Sequence, residues 1–294
     1  MSSIGQATSY PPDRSMMESY ARNAQKDFLR DQSRKLIQEA HIFFETLPRH
    51  ETVDCPIEQT EPELIFKEIY ALHQFQGICI GELHSEQSPK RLLYTLLPQL
   101  QAMGVDTLYL EHIKHDLMQK DLDDWFEGRT DCLPIHITQF LEDLDRKYGL
   151  CPPYSYMGLV LRAKEVGVRI VGFDSQAAAI AGCHPNIPMN KEKRVLAVNY
   201  QGKKIIDESK QGLFVILTGT DHGSTLRNSK IPGVSELIHC PFLIVSDSTE
   251  YKKPQVYLHP PSPILLGYDN KEDTVHAVIV LESPLMDSQR RRTL

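Results

Sequence analysis

Six short apolar runs recur along the chain, and no helical bundle or all-β sandwich spaces its elements in this way. They are Gly77-Ile78-Cys79-Ile80-Gly81, Thr107 to Leu110, Arg169 to Phe173, Phe214 to Leu217, Phe242 to Val245 and His276 to Val280. Each run is apolar at consecutive rather than alternate positions, the pattern of strands buried on both faces. Between them, Ser88 to Met103, Ile113 to Phe126, Thr138 to Lys147, Tyr156 to Val166 and Lys191 to Val198 carry helical periodicity. Strand and helix in alternation predict an α/β fold: a three-layer α/β/α arrangement around a central, mainly parallel or mixed sheet. The last run and the proline-rich region Pro254 to Leu266 are expected to add antiparallel or edge elements.

Ahead of the first run the pattern changes. Residues 1 to 15 are polar and carry Pro11-Pro12, which offers little apolar surface to offset ordering entropy; they read as a mobile tail. Phe28, Leu29, Leu36, Ile37, His41, Phe43 and Phe44 fit one or two amphipathic helices between Met16 and Leu47, and a further helix is expected over Pro62 to Gln74. The expected division is thus an N-terminal tail and helical extension over 1–60 and an α/β unit over 61–294. With 294 residues, 41% of them hydrophobic, the chain can bury a substantial core.

Charge and cysteine content narrow the function. A net charge of −7 argues against nucleic acid or anionic membrane surfaces as partners. The local exception, Arg290-Arg291-Arg292, reads as a solvated tail. Six scattered cysteines without CxxC pairing read as reduced thiols. Neither a secretory leader nor a membrane span is seen in the sequence. The expected location is cytoplasmic, or a host cell reached without a classical signal peptide. The partners left open are a small-molecule or peptide substrate, a second copy of the chain, or a host protein.

What ends the apolar runs carries the chemistry. Glu82 and His84 follow the first, Glu111 and His112 the second, Asp174 the third, Asp221 and His222 the fourth. Active groups in α/β sheets gather at the carboxyl ends of strands, so four successive polar endings can converge on one crevice. Each has a plainer reading: Asp174 and Asp221 as helix caps, His112 and His115 as exposed junction residues. No nucleophile elbow surrounds Ser85 or Ser175, and Cys79 has no partner, so covalent catalysis is disfavoured. Two readings remain. In one, an imidazole takes a proton from water while carboxylates orient it. In the other, His and carboxylate ligands hold a divalent metal, with Glu82, His84, Glu111 and His222 as candidates. Neither HExxH nor a Walker A lysine motif is present.

The segments GELH, LYLEH, VRIVGFDSQ and GTDHG together resemble the motifs of the erythromycin-esterase-like, ChaN-like and Tiki-like superfamily, over approximately residues 75 to 225. That group spans esterases, a haem-binding lipoprotein, metalloproteases and domains of bacterial toxins and effectors. The resemblance implies that Glu82, His84, Glu111, Asp174 and His222 line one pocket, with His84 as water-activating base and His222 assisting proton transfer. It also implies an anion-binding role for Arg91, with His112 and Asp221 beside the substrate. Only Leu83 separates Glu82 from His84, where the esterase branch has one residue more. Direct water activation and metal ligation by His84 therefore both stay open. The implied activity is that of a hydrolase, with a translocated effector as one setting for it; the alternatives are a haem- or ligand-binding protein and a non-catalytic interaction domain. Haem fits less well than a divalent metal, because the pocket is rich in acids where haem favours an apolar slot.

Overall fold

Strand residues in this chain alternate between two cores, and that division defines the layers. In the computed structural model, Ile78, Ile80, Leu108, Leu110, Val215, Leu217, Leu243 and Val245 pack into one apolar cluster. Their neighbours Cys79, Tyr109, Phe214, Ile216, Phe242 and Ile244 pack into another on the opposite face. Successive side chains of a strand point to opposite faces, so a sheet covered on both sides needs apolar residues at every position. The structure describes residues 14–47, 53–72, 74–183, 188–225, 231–248, 253–258 and 275–283. The expected tail over 1–15, apart from its last two residues, Arg290 to Arg292 and most of Pro254 to Leu266 lie outside them.

The elements in chain order are α1 (Arg14–Thr46), α2 (Pro62–Ala71), β1 (Gly77–Glu82), α3 (Ser88–Ala102), β2 (Val105–Lys114), α4 (His115–Phe126), α5 (Ile135–Tyr148) and α6 (Tyr156–Val166), followed by β3 (Arg169–Asp174), α7 (Gln176–Ala179), α8 (Lys191–Ser209), β4 (Leu213–Gly219), α9 (Thr220–Gly223), α10 (Val234–Ile238), β5 (Phe242–Ser248), β6 (Gln255–Leu258) and β7 (Ala277–Glu282). The seven strands form one sheet in the order β3-β2-β4-β1-β5-β7-β6. All neighbours are parallel except β6 and β7. The three-layer α/β expectation agrees with this architecture. The last apolar run is not an edge: β7 lies inside the sheet, parallel to β5, and the short β6 forms the antiparallel edge.

Local chemistry sets several ends. Ser155 accepts from Gly158 N at the start of α6, and Gly167 stops that helix at φ 80°. Asn190 accepts from Lys193 N at the start of α8. The start of α3 is capped from a distance: Asp247 of β5 accepts from Ser88 N at 2.7 Å and Gln87 N at 3.2 Å. α1 is a single helix whose Ala40 packs with Val195 and Leu196 of α8 and with Ile231. Residues Val53, Cys55 and Ile57 join the core on the other face. His276 fastens that segment to the sheet, taking the Phe242 N–H on Nδ1 and facing the Val53 carbonyl with Nε2 at 2.8 Å.

One irregularity positions the site. Between Leu110 and Lys114, β2 advances four residues while the paired β3 advances two, from Gly172 to Asp174. This bulge presses the Ile113 carbonyl against Gly172, where an added Cβ would lie 2.4 Å from that oxygen. Bulges re-aim side chains at sheet ends. Glu111 and His112, which a regular strand would send to opposite faces, both reach the same crevice.

Candidate active site

The carboxyl ends of β1, β2 and β4 open onto a crevice of about 560 Å³, bounded on its outer sides by α5 and α8. Its floor is built of two acid–imidazole pairs.

The first pair belongs to β1 and the turn after it. Glu82 ends the strand with its side chain 1% exposed, and its Oε1 lies 3.1 Å from His84 Nδ1. A carboxylate this deep needs compensation. It receives the Tyr156 hydroxyl in a short hydrogen bond and the Lys90 ammonium at 2.8 Å from Oε2. Lys90 is itself fully buried and also donates to the carbonyls of His84 and Glu86, both at 2.9 Å. Burial pushes the Glu82 pKa up, but Lys90 and His84 outweigh it and hold the carboxyl below its ordinary range. Burial likewise depresses His84, but its hydrogen bond to Glu82 and the field of Glu111 raise it above its ordinary value. Burial and the adjacent acids keep Tyr156 protonated, so it acts as a donor. Asp145 of α5 fixes that tyrosine by accepting from its backbone N–H at 2.8 Å.

The second pair joins β2 to the end of β4. Glu111 Oε2 accepts from Thr218 Oγ1 at 2.8 Å and Gly219 N at 2.7 Å. Its Oε1 lies 3.4 Å from His222 Nε2. Burial raises the Glu111 pKa, yet His222, His84 and His112 bring it well below the carboxylate range. Burial pushes His222 down despite Glu111, which favours its neutral form. Asn199 selects the tautomer: its Nδ2 donates to the Pro232 carbonyl, so its Oδ1 must accept from His222 Nδ1 at 3.0 Å. The neutral ring therefore presents a bare Nε2 toward Glu111. Gly219 lets the two pairs meet, since a Cβ there would lie 3.0 Å from His84 Cε1 and 3.4 Å from Glu111 Oε2.

His112 stands edge-on to His84 at 4.2 Å between ring centroids. Burial holds its pKa down to about 3, and its Nε2 is buried without a partner. One ligand atom each from Glu82, His84 and His112 lies within 4.8 Å of the others, a spacing compatible with a divalent cation. The surroundings do not suit one. Tyr156 already donates to Glu82 Oε1, and a buried ammonium stands 2.8 Å from Oε2, so an added dication would face a fixed positive charge across its own ligand.

The remaining sequence candidates are spread around this floor. Asp221 lies on the rim, paired with Lys191 at 2.7 Å. Asp174 is fully buried behind the wall, bonded to Ser175 N and paired with Lys114 and Arg194. Arg91 points away, donating to the Glu282 carbonyl at 2.6 Å, and does not line the crevice. Sequence reasoning passes over Lys90, Tyr156, Asn199, Thr218, Lys114 and Arg194. Lys90 and Asn199 carry a readable signal, each being a polar residue on the apolar stripe of its helix. Tyr156 fits its stripe as an ordinary core residue and gives none.

No family model matches the chain. The multifunctional-autoprocessing repeats-in-toxin protein of Vibrio vulnificus is 25% identical over 183 residues, 60% of this chain and 3% of the toxin. This chain thus matches only a small part of that relative's length. RRSP, a MARTX toxin effector domain from Vibrio vulnificus CMCP6, aligns with a TM-score of 0.49 and 22% identity, over 63% of this chain and 36% of that one. ChaN of Campylobacter jejuni, a structure with cofacial haem, aligns at 0.40 and 13%, over 74% and 92%. The C-terminal region of Pasteurella multocida toxin, described with a thiol-protease-like catalytic triad, aligns at 0.55 and 13%, over 72% and 29%. This last likeness extends the α/β fold to a solved toxin structure.

Proposed function

We propose that the chain is a hydrolase in which His84, backed by Glu82, activates water against an ester or amide carbonyl, and that it acts as an effector domain inside a host cell. The observation that carries the catalytic reading is the 3.1 Å contact between Glu82 and His84 Nδ1, on a carboxylate locked by Lys90 and Tyr156. Glu82 accepts a hydrogen bond from Nδ1–H and leaves Nε2 as the base. Water attacks the carbonyl carbon while its proton passes to His84 Nε2. The resulting imidazolium, stabilised by Glu82 and Glu111, returns that proton to the departing oxygen or nitrogen as its bond to carbon breaks. Glu111 Oε1 and His222 Nε2, both acceptors and 3.4 Å apart, orient the water's O–H groups.

Thiol and metal variants of this chemistry fit less well. No cysteine lines the crevice among the described residues, and burial raises the Cys55 and Cys240 thiols to about 12. The effector reading leans on the relationship to the Vibrio vulnificus toxin.

The test is incubation with host-cell extract in ¹⁸O-water, followed by mass spectrometry of newly labelled carboxyl groups in proteins and small molecules. Wild-type protein should generate labelled products, unchanged by chelator, and His84→Ala should lower them about 100-fold or more. Equal labelling by the two proteins would refute the reading.

A further inference from the structure

The wall of the crevice beside the Glu111–His222 pair carries more positive charge than its acids balance. Asp174, fully buried, is the carboxylate behind it, and two cations share it. Lys114 Nζ contacts Oδ2, and Arg194 spans both oxygens, at 3.3 Å from Nη1 and 2.9 Å from Nη2. Arg194 Nη1 also donates to the Ala178 carbonyl at 2.7 Å, fixing the plane of the guanidinium. The Lys114 and Arg194 side chains are only 17% and 16% exposed, and both residues line the crevice.

Among the described residues, the other acids of the crevice are already engaged. Glu82 faces Lys90, Asp221 faces Lys191, and Glu111 is held by Thr218 and Gly219. Lys147, over the Tyr148 ring on the α5 side, only adds to the positive charge of the lining. Within this cluster two cations contact one carboxylate, and Glu111 adds only its field at Arg194, in a half-enclosed site where charges are weakly screened. Donors remain for a ligand. An ammonium has three N–H groups and a guanidinium five. Only one from Lys114 and three from Arg194 are committed by these contacts, on Asp174 and on the Ala178 carbonyl.

We propose that Lys114 and Arg194, anchored on Asp174, form a seat for an oxyanion of the substrate, a carboxylate or a phosphoryl group, next to the imidazoles of the floor. That the occupant is a substrate rests on the hydrolase reading; that the seat binds an anion does not. Asp174 then acts as a positioning residue. It holds two like charges close enough to grip one anion, an arrangement the cations would not keep unaided.

The seat is read without turnover. Acetate and inorganic phosphate are titrated into the full-length protein at constant ionic strength, with chloride as the balancing anion, followed by the arginine Nε–H resonances and by calorimetry. The expected result is a saturable shift of one arginine side-chain resonance, lost in Arg194→Lys, with acetate and phosphate distinguishing the two anion classes by affinity. Lys114→Met should weaken binding about tenfold or more, whereas Lys120→Met, an exposed lysine on α4, should not. An absence of saturable binding in the wild type, or equal affinity of Lys114→Met and Lys120→Met, overturns the seat. The wild-type titration needs no variant, so the seat stays open to refutation even where a mutant misfolds. Anion binding without ¹⁸O labelling would keep the seat and remove the hydrolase.

Discussion

His112 shows how burial sets a charge state at a single residue. An unfolded histidine titrates near 6.5, whereas burial holds this one down to about 3. Between those values the unfolded chain binds a proton that the folded chain excludes, so stability falls as pH drops from 6.5 toward 3. The effect is about 1.4 kcal/mol per pH unit at most. His112→Phe removes both that proton and an unpartnered nitrogen. Its urea-unfolding free energy at pH 7 should match or slightly exceed the wild type, and it should lose less between pH 7 and pH 4.5. His84 runs the other way: its pKa is raised, and a base must be neutral to act. Turnover should therefore climb with pH through a value above 6.5, and Glu82→Gln should move that limb to lower pH while cutting the maximal rate. The strand-ending residues are legible in the sequence because acids and histidines after apolar runs are conspicuous. Their supports are less so, since nothing local distinguishes a tyrosine that packs from one that also donates to a buried acid.

At the scale of elements, the apolar runs mark six of the seven strands, while β6 falls in a proline-rich region where only an antiparallel or edge element is expected. The bulge in β2 is not legible. It depends on which residue of β3 faces Ile113, and Gly172 supplies the missing Cβ only once the two strands are paired. Gly172→Ala should lower stability by about 1–3 kcal/mol and reduce turnover more than a core substitution of equal cost, because it displaces Glu111 and His112 together. Thermal unfolding alongside the ¹⁸O assay separates the two effects. Apolar periodicity ends α8 at Val198, well short of its true length. The helix continues to Ser209, with Gly202 beneath Phe173, where a Cβ would lie 2.8 Å from the ring, and with Ile205 and Ile206 buried beyond it. Asn199, the residue that selects the His222 tautomer, falls just beyond the expected end.

Over the whole molecule, the α/β architecture follows from the alternation of runs, but the attachment of the N-terminal segment does not. Helical periodicity reveals an apolar face and says nothing of what covers it. Here α8 and its neighbours cover it, with Ala40 fully buried against Val195 and Leu196. Ala40→Asp should place a charge in that contact and destabilise the protein by about 2–4 kcal/mol. It should also impair turnover through α8, as a lowered melting temperature and weaker labelling would show. The His276–Val53 contact carries a consequence for how the chain is made. A link across 223 positions cannot close until His276 has left the ribosome. A nascent chain that ends before α8 already holds Glu82, His84 and Glu111, but it lacks Arg194, Asn199 and His222. Its first helix also lacks the surface it docks on. The Lys114–Arg194 wall and the imidazole that faces Glu111 are therefore completed only after α8 and β4 emerge, so the Glu82–His84 pair is translated before the residues that complete the crevice.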